Sequence, residues 1–90
     1  NLTRGVKMYE NIIKNYVDKL TKEDIINYSK KEDIFLNDNE INVIYDEIKN
    51  KWKQLYNGNT RVITDLENKI NNKAYNKLIN LYNTYKKFLN

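Results

Sequence analysis

The stretch Leu20–Ile41, LTKEDIINYSKKEDIFLNDNEI, decides the fold. Twice it sets a large apolar residue before a small polar one, with an acid three places on. Leu20-Thr21 leads to Asp24, and Leu36-Asn37 leads to Glu40. A Thr or Asn in front of a helix accepts a hydrogen bond from a free amide of the first turn, and a carboxylate three residues later returns one to the cap's own N–H. Leu36 and Ile41 have the spacing of a hydrophobic staple across the second start. The stretch therefore predicts a short helix over about 22–31, burying Ile25 and Ile26 with Tyr28 beside them, and a new helix from about 38. Asp24 stands where Glu or Gln is preferred, so the first capping box is an imperfect match. Between the two starts, Asp33-Ile34-Phe35-Leu36 has no helical period. It reads as an extended linker that sends Phe35 and a neighbour into the core.

Outward from this stretch the apolar spacing stays helical. Upstream, Val6, Tyr9, Ile13, Tyr16 and Leu20 step by three and four, with Ile12 and Val17 widening the stripe, which predicts a helix over about 5–20. Downstream, Ile41, Ile44, Tyr45, Ile48, Trp52 and Leu55 share one side of a helix over about 38–56. Asn57-Gly58 ends it, Gly58 suiting the left-handed residue past the last turn. Asn59 or Thr60 caps a fourth, short helix carrying Val62, Ile63, Leu66 and Ile70. Asn71 or Asn72 caps a fifth, over about 73–89, with Tyr75, Leu78, Tyr82, Tyr85 and Leu89 in line and Ala74, Leu81 and Phe88 flanking. The fold expected is all-α: one domain over residues 1–90, a compact bundle of about five helices in the order long, short, long, short, long. Helices this short are marginal alone in water, so their faces must share a core. Met8 suits a natural start, which makes residues 1–7 a candidate upstream extension.

Composition removes several kinds of chemistry. The 90-residue chain has no Cys and no His, which excludes thiol nucleophiles, thiolate metal sites and the commonest acid/base side chain. No apolar run approaches the roughly 20 residues that span a bilayer. Without cysteine the chain suits a reducing compartment, and a cytoplasmic location is expected. The Asn1-Leu2-Thr3 and Asn27-Tyr28-Ser29 triplets read as chance in so Asn-rich a chain.

The pieces LTKEDIINYSKK, FLNDNEINVIYDEIK, the NGN break and KLINLYNTYKKF, spread over residues 9–88, resemble the YqfT-like proteins, a family of small proteins from bacteria of the Firmicutes. The resemblance implies an all-helical domain with no assigned activity, and it brings no catalytic residues. Asn37 stands at the cap where Thr or Ser is expected, and NLTRGVK lies outside the likeness.

Candidate sites are few. A calcium loop needs oxygen ligands at alternating positions and a central glycine, and EDIFLNDNEINV offers apolar residues there instead. Ser29 is the only serine, and beside Lys30 and Lys31 it reads as a surface residue. Neither an enzyme, nor a metal site, nor a cofactor is expected. Charge is the most uneven feature. Residues 1–48 hold 7 Lys/Arg against 10 Asp/Glu, net −3, and residues 49–90 hold 9 against 2, net +7. Lys49, Lys53, Arg61, Lys69, Lys73 and Lys77 are the candidate phosphate contacts of a nucleic-acid-binding alternative. The chain is short of arginine, the better bidentate reader of phosphate. Trp52 and the eight tyrosines support the leading expectation, a non-catalytic protein-interaction or accessory module, self-association included. Tyr28, Trp52 and Tyr56 are its candidate partner-binding residues, because Tyr and Trp exposed together anchor protein contacts.

Overall fold

The computed structural model describes the backbone of residues 2–89 and the side chains of residues 9–87. Among the described residues it is an all-α bundle of five helices without strands: α1 (Leu2–Lys19), α2 (Lys22–Lys31), α3 (Asp38–Tyr56), α4 (Arg61–Thr64) and α5 (Asn72–Leu89). The expected side-chain positions of Val6, Phe88 and Leu89, and the expected extension over 1–7, fall outside the described side chains.

Both restarts form as their residues dictate. Thr21 Oγ1 accepts from Asp24 N at 3.1 Å and Asp24 Oδ2 accepts from Thr21 N at 2.9 Å, so the first box closes fully. The imperfect match of residue type does not prevent closure: an Asp side chain, one methylene shorter than Glu, still reaches the cap. Asn37 and Glu40 form the second box at 2.8 and 3.0 Å. Residues on both sides of each cap are apolar and inward. Leu20 and Ile25 are buried around Thr21, as is Ile41 after Asn37.

The ends are equally specific. Gly58 takes φ +99° past α3. Its N–H donates to Leu55 O, and the N–H of Asn59 donates to Gln54 O, each at 3.0 Å. That pair of bonds is the Schellman closure. The same closure ends α2, where Asp33 N donates to Lys30 O and Ile34 N to Ser29 O at 2.8 Å. Here the left-handed residue is Asp33, at φ 57°, a position a residue with a Cβ occupies at a cost.

This turn corrects the reading of the linker. Ile34 is buried and Leu36 packs against the core, but Phe35 is 79 % exposed. An extended segment points alternate side chains to opposite sides. The turn at Asp33 commits Ile34 inward, so Leu36 follows it and Phe35 faces out. Helix α4 is also shorter than expected. It lasts four residues and gives way to turns up to Ile70, although Val62, Ile63, Leu66 and Ile70 are all buried.

The main core cluster joins Leu20, Ile25, Ile34, Ile44, Leu66, Ile70 and Ala74, near the N-termini of α2, α3 and α5. Helix α3 is the central rod, packed by α1, α2 and α4, and α5 rests on α4. Among the described residues, no large side chain falls below 2 % exposure. The core is thin, and its thinness lies along α1. Tyr9, Ile12 and Tyr16, expected on the buried stripe, are 47 %, 60 % and 68 % exposed. The stripe of α1 is wider than α3 alone can cover, so Val17 goes under and the flank stays out.

Candidate functional site

Lysines and a buried acid fix the two long helices that flank α3. Lys49 on α3 donates its ammonium to Val17 O at 2.6 Å and Asp18 O at 3.1 Å. It thereby adds a second donor to Val17 O, which also accepts from Leu20 N at 3.1 Å, and reaches the Asp18 carbonyl in the last turn of α1. Lys53, a turn further along α3, lies 3.7 Å from Glu10. These contacts lay α1 antiparallel to α3.

On the other side, Glu40 holds α5. Its Oε1 accepts from the Asn37 amide at 3.0 Å. Its Oε2 accepts from the Asn71 amide at 2.6 Å and from Asn71 Nδ2 at 3.1 Å. Asn71 in turn caps α5, its Oδ1 taking Ala74 N at 2.9 Å, and its Nδ2 also donates to Phe35 O at 2.8 Å. Glu40 is 7 % exposed, and three N–H bonds compensate its burial. One carboxylate therefore closes the cap of α3 and positions the cap of α5. Lys73 and Lys77 add contacts to the turn after α2, to Asp33 O at 2.6 Å and to Glu32 at 2.9 Å. The Lys77 ammonium bonded to Glu32 holds that carboxyl below its ordinary range, and Glu32 raises Lys77 in return.

So placed, α1 and α5 face each other across α3 and leave an apolar groove between them. It has two lobes, of about 380 Å³ and about 260 Å³. Tyr16, Ile44, Ile48, Leu78 and Leu81 line both lobes and make them one groove. Trp52 and Tyr56 line the larger lobe and Tyr28 the smaller. Residues from α2 and α3 thus come to a single groove. Tyr56 stacks at a tilt on Tyr85, ring centres 6.5 Å apart. Of the lining residues, Tyr16 on α1, Tyr28 on α2 and Leu81 on α5 are exposed, and Tyr9 and Ile12 on α1 are exposed as well.

Little in the groove is polar. Glu47 Oε2 and the Tyr85 hydroxyl are buried and have no hydrogen-bond partner among the described residues. Burial, with the Tyr56 and Tyr82 phenols adding to it, pushes the Tyr85 phenol up to about 12. Burial also raises Tyr28, and Glu32 adds to the effect. A phenol this reluctant to ionise is a poor base at neutral pH. Among the described residues no three acidic side chains gather as a metal would need, and no helix is long and apolar enough to cross a membrane.

The six candidate phosphate contacts do not form one free patch. Lys49 and Lys53 bond to α1, and Lys73 and Lys77 bond to the turn after α2. Arg61 and Lys69 ion-pair with no other described residue. What sequence reasoning missed is the α1 flank and Leu81, because apolar spacing gives a stripe its position but not its cover. No protein-family model, no curated protein and no solved structure matches this chain.

Proposed function

We propose that this chain is a non-catalytic interaction module that holds an apolar surface of a polypeptide in the groove between α1 and α5. The observation that carries this reading is a continuous groove that keeps Tyr16 and Leu81 of its lining in water. Exposed apolar surface gathered at one place marks a contact site far more often than apolar residues scattered singly. Trp52, Tyr56 and Tyr28 supply large, stiff rings of the kind that carry binding energy. A bacterial accessory protein working in the cytoplasm fits this reading, as does the resemblance to the YqfT-like proteins, which implies no catalysis.

Site-specific photo-crosslinking in cells tests it. A photoreactive side chain at Leu81 is expected to form polypeptide adducts, and one at Asp65, exposed and away from the groove, none. Equal labelling at the two positions, or none at either, contradicts the reading.

Nucleic-acid binding is the second reading, favoured by the net charge of +7 over residues 49–90 and by Arg61 and Lys69. It requires a salt-sensitive mobility shift with short DNA or RNA that Arg61→Ala with Lys69→Ala weakens. Absence of a shift even at low salt removes it.

A further inference from the structure

The turn that ends α3 carries a reactive pair. Of the chain's asparagines, only Asn57 is followed by glycine. Without a side chain beside it, the glycine nitrogen can approach the carboxamide of the residue before it. Asn57 and Gly58 are both exposed, and a Cβ on Gly58 would meet nothing within 4 Å. Water and base therefore reach the pair. We propose that Asn57–Gly58 is a self-modification site: it deamidates when the Schellman turn opens, and the product loosens the larger lobe of the groove.

The step uses only this chain's atoms and water. The Gly58 nitrogen attacks Asn57 Cγ and gives up its proton to solvent base. The bond from Cγ to Nδ2 breaks, and Nδ2 takes up a proton and leaves as ammonia. The result is a cyclic imide that joins Asn57 Cγ to the Gly58 nitrogen. Water then opens the ring. Addition at Cγ gives aspartate. Addition at the main-chain carbonyl carbon gives isoaspartate, whose chain runs on through Cβ and Cγ. One water is consumed and one ammonia released, with no oxidant or cofactor.

The folded turn keeps the pair from reacting. Ring closure needs Asn57 Cβ and the Gly58 nitrogen eclipsed about the Cα–C bond, which for an L residue means ψ of about −120°. Asn57 has ψ 5°, so the peptide that joins it to Gly58 must rotate by roughly 125°. The Gly58 N–H, whose proton must be lost, donates to Leu55 O, and the N–H of Asn59 donates to Gln54 O, each at 3.0 Å. Rotation breaks the first bond and pulls on the second. Reaction is thus gated by opening of the last turn of α3, a local event that costs less than unfolding the chain.

Position decides what the product does. Both products place a carboxylate at the C-terminal end of α3, where the helix dipole is negative. Isoaspartate also lengthens the main chain by one methylene, so the two Schellman bonds lose their register. Leu55 and Tyr56 before the turn, and Val62 and Ile63 after it, line the larger lobe. Slack in the turn passes directly to that lobe, whatever occupies it.

Peptide mapping by mass spectrometry, with isoaspartate methyltransferase labelling, follows Asn57 while the purified chain is held in mildly alkaline buffer, with and without denaturing urea. The native chain should convert at least ~10-fold more slowly than the unfolded one. Asn59→Pro removes one Schellman donor and keeps the Asn-Gly pair, and should bring its native rate closer to its own unfolded rate. Amide exchange at Gly58 in wild type, read by NMR, should be slowed to a similar extent, which tests the gate without a variant. The converted chain, separated by ion exchange, should show red-shifted emission from Trp52, the only tryptophan and a residue of the larger lobe. Equal native and unfolded rates, or an unprotected Gly58 amide, overturn the proposal. So does a folded Asn59→Pro chain as well protected as wild type, an Asn57 that stays intact in urea, or unchanged Trp52 emission after conversion.

Discussion

At one end of the bundle, polar atoms lock the starts of α2, α3 and α5 together, and at the other, apolar side chains stand apart. The junction end gathers the starts of α2, α3 and α5. There the Glu40 carboxylate, bonded to Asn37, reaches Asn71 across 31 residues of sequence, over the Ile25–Ile34–Ile44–Leu66 cluster. The open end holds α1, the second half of α3 and the second half of α5, joined by the Lys53–Glu10 pair and the Tyr56–Tyr85 contact over the larger lobe. The difference teaches that caps, more than greasy stripes, set where these helices go. A hydrogen bond has direction and fixes an angle between elements, whereas apolar burial has none. The directed end is therefore expected to hold most of the stability, and the other carries the proposed contact surface.

The largest expected effect breaks the lock. Glu40→Ala leaves the Asn37 and Asn71 amides without their carboxylate at a partly buried site, and should cost about 2–3 kcal/mol. Tyr16→Ser, at the open end, should move stability by no more than ~0.5 kcal/mol. Urea denaturation followed by circular dichroism measures both. Equal losses would erase the distinction between the ends.

The two Schellman turns, one at each end, sharpen it. At Gly58 a Cβ would meet nothing within 4 Å, so Gly58→Ala isolates the backbone cost of φ +99°, about 1–2 kcal/mol. Asp33→Gly should act in the opposite sense and stabilise by roughly 0.5–1 kcal/mol, since it relieves a left-handed residue at φ 57°. Matching losses from both substitutions would refute the backbone explanation.

Tyr85→Phe probes the open end from within. It removes a buried hydroxyl that bonds to no described residue, and should leave stability equal or raise it by up to ~1 kcal/mol. Its alkaline signature is clearer. A phenol raised from 10.0 to about 12 on folding contributes fully below pH 10.0 and loses that contribution as pH rises through the folded value. Wild type should therefore weaken from pH 10 toward 12 more steeply than Tyr85→Phe. Parallel curves would show that the phenol reaches water.

The smallest effect lies in acid. Glu32 is held below its ordinary 4.5 by Lys77. Its contribution is present above that value and fades as pH falls through the lowered one. Lys77→Met should trail wild type above pH 4.5 and converge with it below, in a melting series across pH. A constant gap down to low pH would assign the loss to packing of the Lys77 stem instead.

How much of this was legible in the sequence follows the same division. Thr21 with Asp24, Asn37 with Glu40, and Gly58 could be read directly, because capping is chemistry within a few residues. The partner of Glu40 could not. Asn71 lies 31 residues away, and nothing local marks that carboxylate as buried rather than solvated. The linker failed by one position. Apolar character picks out Ile34, Phe35 and Leu36 alike, and the left-handed Asp33 chooses which of them turn inward. On α1 the stripe was visible but its cover was not. How many neighbours an apolar face receives is decided by the placement of α5, which rests on Glu40 and Asn71. Tyr28, Trp52 and Tyr56 could be named as ring-bearing anchors. That they line a groove with Tyr16 and Leu81 required the packing of four helices.

Hydroxyl-radical footprinting of the chain, at a dilution where it is monomeric, reads the contrast between the two ends side chain by side chain. Ile12, Tyr16 and Leu81 should oxidise rapidly, while Ile25, Ile44 and Leu66 stay protected. Protection of all six alike would mean that α1 and α5 close on each other, and the groove with its proposed occupant would have no place in this fold.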